Sequence, residues 1–234
     1  MNDKKEILHF VELIEKELSG YDKCQFFSKL YGMIPQKYKY AFCLSTDRDD
    51  AAQWERYGDS AMGVCLAFNV AELCKCIYEY PDIMINPVFY SDEVQEEQYF
   101  ALVKKYLETG ELDVYNSEDE LMNQLIYAGS LHKHKSFKNE HEVRITTLDN
   151  KYQIGTEYKL KHIGETIKKV LILEPDVMGK KEDARFETSF ESLIDEVIVG
   201  PKSQQNIAIL KEYINSNGLH KMGKFVTQSD CPLR

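Results

Sequence analysis

The sequence predicts an α+β fold: a mixed, mainly antiparallel central sheet covered by helices. Two patterns point to it. Apolar residues alternate over 38–44, 63–68, 141–147, 169–173 and 196–199, as strands require, and recur at helical spacing over 5–18, 93–108, 117–131 and 203–216. The charged faces of those helices favour the outside of a sheet over its interior. With 43% apolar residues, 15 Tyr, 11 Phe and one Trp, the chain has ample material for a core, which excludes a largely disordered protein.

The elements follow in order. Ile7, Leu8, Val11, Ile14 and Leu18 line one face of a first helix that stops at Ser19-Gly20. A second short helix over 23–34 ends at Pro35. Tyr38, Tyr40, Phe42 and Leu44 alternate along a strand, 37–45. Asp47 to Asp50 then caps a short helix from Ala51 to Tyr57, closed by Gly58. Gly63 to Phe68 is a nearly continuous apolar strand, 70–80 a helix and Asn86 to Tyr90 a strand. Helices over 93–108 and 117–132 lead into the basic stretch Lys133 to Lys138, and Glu140 to Thr147 is a strand with one polar face. Strands at 158–160, 167–173 and 197–199, a helix at 203–216 and a last strand at 224–227 complete the chain. No repeat, low-complexity tract or linker interrupts it, so residues 1–234 read as one domain.

Charge and cysteine content bound the function. Against 39 acidic residues stand 29 basic ones, a formal charge of −10 that argues against gripping nucleic acid along the whole surface, though the stretch at 133–138 allows a local contact. No apolar run approaches the roughly 18 residues of a membrane span, and the first residues lack the apolar core of a signal peptide. The six cysteines (24, 43, 65, 74, 76 and 231) have no metal-knuckle spacing and read as buried free thiols in a reducing, cytoplasmic setting.

Two constellations could carry chemistry. Ser45-Thr46 ends a strand just before Trp54 and Tyr57, and two hydroxyls with two aromatic faces suit a flat polar ligand. An ordinary strand-to-helix cap with a core Trp uses the same letters. In Glu140-His141-Glu142-Val143-Arg144, a strand would turn Glu140, Glu142 and Arg144 to one face. Two carboxylates about 7 Å apart suit acid–base work or stabilisation of a positive transition state; a salt-bridged strand face is the alternative. His132, His134 and His141 lack metal-site spacing, and neighbouring lysines would repel a cation, so no metal is expected. Val197 to Pro201 could precede an anion-holding helix N-terminus, but simple strand termination explains it as well.

Together these pieces resemble the bacterial domain of unknown function 2971. The resemblance is carried by Cys43-Leu44-Ser45, Gln53-Trp54-Glu55-Arg56-Tyr57-Gly58 and Gly63 to Phe68. It is also carried by Lys133, His134, Phe137, Glu140, Glu142 and Arg144, by Ile198-Val199-Gly200-Pro201, and by Ser229 to Arg234. It extends over nearly the whole chain and implies that an N-terminal strand–helix–strand unit is missing ahead of Met1-Asn2-Asp3. A weaker, fold-level resemblance to ADP-ribosyltransferases follows from the order of Cys43-Leu44-Ser45-Thr46 and Glu140-His141-Glu142. It implies an ADP-ribosyltransferase-like sheet and NAD as substrate. Glu142 would bind the nicotinamide ribose and stabilise the oxocarbenium ion, Glu140 would position the acceptor and Ser45 would brace Glu142. Thr46, Trp54 and Tyr57 would line the pocket. Two other readings stay open: a metal-independent hydrolase or nuclease holding a phosphate with Lys133, His134, Glu140, Glu142 and Arg144, and a non-catalytic partner-binding protein.

Overall fold

The computed structural model describes residues 4–18, 24–36, 39–78, 83–91, 94–112, 115–148, 157–163, 166–172 and 190–233. Parts of the expected elements, at 19–20, 23, 37–38, 79–80, 93 and 173, lie outside them, as do the first three residues and the last. The chain divides into two compact units, residues 1–44 with 82–155, and residues 45–81 with 156–234.

In the first unit, helices α1 (Lys4–Glu17), α2 (Cys24–Met33), α5 (Val94–Thr109) and α6 (Glu118–Leu131) carry the core. Helices α3 (Ala51–Tyr57) and α4 (Val70–Tyr78) belong to the second unit. Phe10, Phe27, Leu30, Leu121, Met122, Leu125 and Ile126 are fully buried in one cluster. The 3.6-residue spacing read in 5–18 and 117–131 is what brings these side chains to one side of each helix. Ser117 caps α6 by accepting the Glu120 amide. At Gly129 a side chain would come within 3.1 Å of the Ile7 Cα, so its bare backbone lets α1 lie tightly on α6.

The sheet of this unit has the order β1 (Lys39–Ser45), β6 (Glu142–Leu148), β3 (Ile83–Pro87). β3 runs antiparallel to β6, with Ile85 opposite Ile145 and Asn86 opposite Arg144. A second, two-stranded parallel pair joins β4 (Phe89–Tyr90) to β5 (His132–Lys133). The expected strand over 86–90 is therefore two strands: Ile83–Pro87 pairs with β6, and after Val88 the chain changes partner. The strand expected from Glu140 also starts later. Residues 135–140 form a turn of 3₁₀ helix that ends at His141, whose φ of 42° is left-handed, and the strand begins at Glu142. Alternating letters alone cannot register such a turn.

In the second unit, α3 (Ala51–Tyr57) is capped by Asp50 and closed by Gly58, as the sequence indicates. β2 (Val64–Phe68) and α4 (Val70–Tyr78) follow, then the antiparallel hairpin β7 (Glu157–Ile163) and β8 (Thr166–Ile172). A turn of helix, α7 (Phe190–Leu193), leads into β9 (Ile194–Val199). Then come α8 (Ile207–Ser216), α9 (His220–Lys224) and β10 (Val226–Gln228). β9 is central, antiparallel to β2 and parallel to β10. Ile194, Val197, Val199, Ile214, Met222 and Val226 form the core against it.

The fold is thus mixed α+β with small, antiparallel-rich sheets. It departs from one central sheet: the described strands belong to four separate sheets. Alternation fixes which face a strand buries, not which strand it pairs with. Cys43, Cys65, Cys74, Cys76 and Cys231 are free, as expected, but of these five only Cys76 is buried; Cys43 and Cys74 are exposed, and Cys65 and Cys231 are half-buried. Among the described residues, no helix is long and apolar enough to cross a membrane.

Candidate functional site

The first unit gathers five of the sequence-predicted site residues: Lys133, His134, Glu140, Glu142 and Arg144. Glu142 is the first residue of β6, and its main chain is held twice. Its carbonyl accepts the Val88 amide at 2.9 Å and its amide donates to the Tyr90 hydroxyl at 3.1 Å. Its side chain, 6% exposed, meets Arg144 two residues along the same strand face. Arg144 Nε donates to Oε1 at 2.7 Å and Nη2 to Oε2 at 3.1 Å, a forked pair of the strong kind.

Arg144 is fully engaged. Besides Glu142, its Nη1 donates to Glu6 Oε2 at 3.0 Å and to the Ser130 carbonyl at 2.6 Å, while Nη2 donates to Glu6 Oε1 at 3.3 Å. All five N–H donors of the guanidinium are used. The Ser130 carbonyl lies in the last turn of α6, where carbonyls lack helical partners, so Arg144 also caps that helix with a positive charge. Glu6 arrives from α1, brought close by the contact at Gly129.

Lys133, on β5, bridges the two carboxylates. Its Nζ donates to Glu140 and, at 2.9 Å, to Glu142 Oε2, with the Phe137 ring centred 5.0 Å away. Glu140 and Glu142 thus converge, but not as strand neighbours. Glu140 closes the 3₁₀ turn, and the left-handed His141 redirects the chain between them.

The charges set the titration. Burial alone would raise the Glu142 carboxyl; hydrogen bonds from Arg144 and the Cys43 thiol, with the charge of Arg144 and the bond from Lys133, outweigh it and hold it near 2. Burial opposes the charge on Lys133 and Arg144, and their carboxylate partners raise both. Although Cys43 is exposed as a residue, desolvation at its sulfur and then the Glu142 carboxylate push the thiol up to about 11. His134 caps the 3₁₀ turn, its Nδ1 accepting the Ser136 amide at 3.2 Å, and its ring stands 6.0 Å from that of His9. Among the described residues, no three His, Cys, Asp or Glu gather to hold a metal ion.

The other four predicted residues fall in the second unit. Ser45 Oγ accepts the Asp47 amide at 3.1 Å, Thr46 is exposed and Tyr57 is 68% exposed. Trp54, 3% exposed, is sealed in a cluster with Ala61 and Ile198, its indole N–H donating to Asp49 at 2.5 Å. Burial to that degree leaves it no open face for a ligand. Three residues of the network (Glu6, Tyr90 and Ser130) were missed in the sequence, and Cys43, part of a quoted motif, was given no role there. Tyr90 and Cys43 lie in segments read as strands, but Glu6 sits on a helix 138 residues from Arg144, and no local pattern signals that pairing.

Residues 53–145 match the model of the family described as Protein of unknown function (DUF2971). The family resemblance read in the sequence is borne out over that stretch, which is narrower than the motifs suggested. It includes Lys133, Glu140, Glu142 and Arg144 and leaves out Ser45, Thr46, Gly200-Pro201 and the closing residues. No curated protein and no solved structure matches the chain.

Proposed function

We propose that this chain is an NAD-consuming, ADP-ribosyltransferase-like protein in which Glu142 stabilises the ribosyl cation and Glu140 positions the acceptor. The observation that carries this reading is their convergence on a single cationic point, now filled by the Lys133 ammonium. Cleavage of NAD at the nicotinamide bond passes through a positive ribosyl centre, and a fixed carboxylate beside that centre stabilises it more than the neutral ribose. A carboxyl held near 2 stays ionised at neutral pH. The order of Ser45-Thr46 ahead of Glu140 and Glu142 along the chain supports the same reading and the sheet it implies.

A phosphate-holding hydrolase is disfavoured. Lys133 and Arg144 are committed to carboxylates, and the cluster of Glu6, Glu140 and Glu142 against Lys133 and Arg144 sums to −1. A second reading, a non-catalytic partner-binding protein, is favoured by the internal use of all five Arg144 donors, which is how a structural ion network is built. The free thiols support a reducing compartment such as the cytosol.

Release of nicotinamide from NAD, with calorimetric binding of NAD, tests the proposal. The wild type should turn NAD over, and Glu142→Gln should lose turnover by orders of magnitude while remaining folded. No binding and no turnover by the wild type would leave the partner-binding reading.

A further inference from the structure

We propose that Lys133 is a built-in lock on the carboxylate pair, its ammonium occupying the point that a cationic reacting centre would need. The inference rests on the NAD-consuming reading for its purpose, but the lock itself is a claim about three side chains.

The two cations of the network are held differently. Arg144 is fixed by five hydrogen bonds, reaching two carboxylates and a helix carbonyl from a central strand. Its planar fork cannot turn without breaking several of them at once. Lys133 lies on a two-residue strand and ends in an ammonium held by Glu140, Glu142 and the Phe137 ring. Phe137 itself is 39% exposed. A lysine stem of four carbons can swing its charge to solvent while its backbone stays in place.

Lys133, Glu140 and Glu142 also belong to one short stretch of chain, closed on itself by the two ion pairs through the 3₁₀ turn and the left-handed His141. Withdrawal of one side chain would open the pair without moving α1, α6 or β6. Arg144 would remain to hold Glu142 in direction. The arrangement therefore divides the work: Arg144 aims the carboxylate, and Lys133 shields it.

Carboxyl labelling tests this. Without the ammonium, two adjacent carboxylates cannot both stay ionised easily, so one takes up a proton more readily. Carbodiimide activates that protonated form for capture by glycine ethyl ester. Peptide mass spectrometry should show slow labelling of Glu140 and Glu142 in the wild type and in Lys133→Arg. In Lys133→Met, with the ammonium gone from both carboxylates, it should be several-fold faster. Glu118, held by Lys29 and Tyr106, is the internal control for folding. If Lys133→Met raises Glu118 labelling too, Lys133→Gln takes its place. Unchanged labelling of Glu140 and Glu142 in a folded neutral variant overturns the lock. A parallel assay with NAD separates the two ideas. Faster labelling with faster nicotinamide release supports both, whereas faster labelling with no NAD turnover in any form supports the lock and removes the NAD reading alone.

Discussion

Arg144 grips Glu142 through two parallel hydrogen bonds, Nε to Oε1 at 2.7 Å and Nη2 to Oε2 at 3.1 Å, with both side chains nearly excluded from solvent. Two charges removed from water in this way gain stability only if their remaining hydrogen-bonding capacity is met. Here Glu6, the Ser130 carbonyl and Lys133 meet it. The pair is therefore the pivot on which α1, α6 and β6 are fixed in the first unit.

Removing the guanidinium leaves Glu142 and the Ser130 carbonyl buried without it. Arg144→Met should lose about 3–5 kcal/mol of unfolding free energy, read from urea denaturation. Arg144→Met combined with Glu142→Leu should recover part of that loss, because no charge is then stranded at the start of β6. Equal destabilisation by the single and double variants would sink the account of a coupled pair.

Acid should reveal the same pair. The Glu142 carboxyl lies near 2 in the folded protein against 4.5 for an ordinary glutamate. A folded-state value below the unfolded one contributes stability above about pH 4.5, and that contribution drains away as pH falls toward 2. Between pH 5 and pH 3 the expected loss is about 2 kcal/mol. Asp49, Glu118 and Glu196 are also lowered by their partners, so the wild type must be compared with Glu142→Gln. Urea titrations across this range should be steeper in pH for the wild type by that amount; parallel curves would contradict the assignment.

Much of this architecture was legible in the sequence because it is local. The faces of α1 and α6, the Asp50 cap and the Gly58 stop of α3 each follow from residues within a turn of one another. The change of partner at Val88 was not, since strands with similar alternation are interchangeable until they pair. For the site, the letters Glu140, Glu142 and Arg144 were enough to mark the place, but they suggested a strand face. The left-handed His141 breaks that alternation, and convergence is restored by Lys133, seven residues before Glu140. Glu6 completes the network from the far end of the unit, a relation that only the close contact of α1 with α6 at Gly129 creates.

In the second unit, Asp49 ties Trp54 to the closing segment. One carboxylate accepts from Trp54 Nε1 at 2.5 Å, Ser229 Oγ at 2.7 Å and the Asp230 amide at 2.9 Å. Trp54 is the sole tryptophan, so its fluorescence reports this contact directly. Asp49→Ala should shift the emission to the red as water reaches the indole and should cost about 1–3 kcal/mol, the penalty of orphaned donors. Asp49→Asn, which keeps an acceptor, should fall between. An unshifted spectrum with an unchanged urea midpoint in Asp49→Ala would show that the carboxylate does not organise Trp54.

The turn beneath Trp54 sets a stricter steric requirement. Asp59, Ser60 and Ala61 all have positive φ, and the Gly200 amide donates to the Gly63 carbonyl at 2.9 Å as β9 ends beside them. A methyl group at Gly200 would strike the Ala61 carbonyl oxygen and lie 3.0 Å from that of Gly63. Both obstacles are main chain in an already constrained turn, so neither can step aside cheaply. At Gly223, in α9, the three atoms nearest an added methyl all belong to the Asn215 side chain, which can turn away as a whole where main chain cannot, and alanine suits a helix better than glycine. Gly200→Ala should therefore lose on the order of 2 kcal/mol in urea unfolding, whereas Gly223→Ala should stay near the wild type. If both variants unfold at the wild-type midpoint, the backbone at Ala61 and Gly63 yields to the added methyl and the steric reading of Gly200 fails.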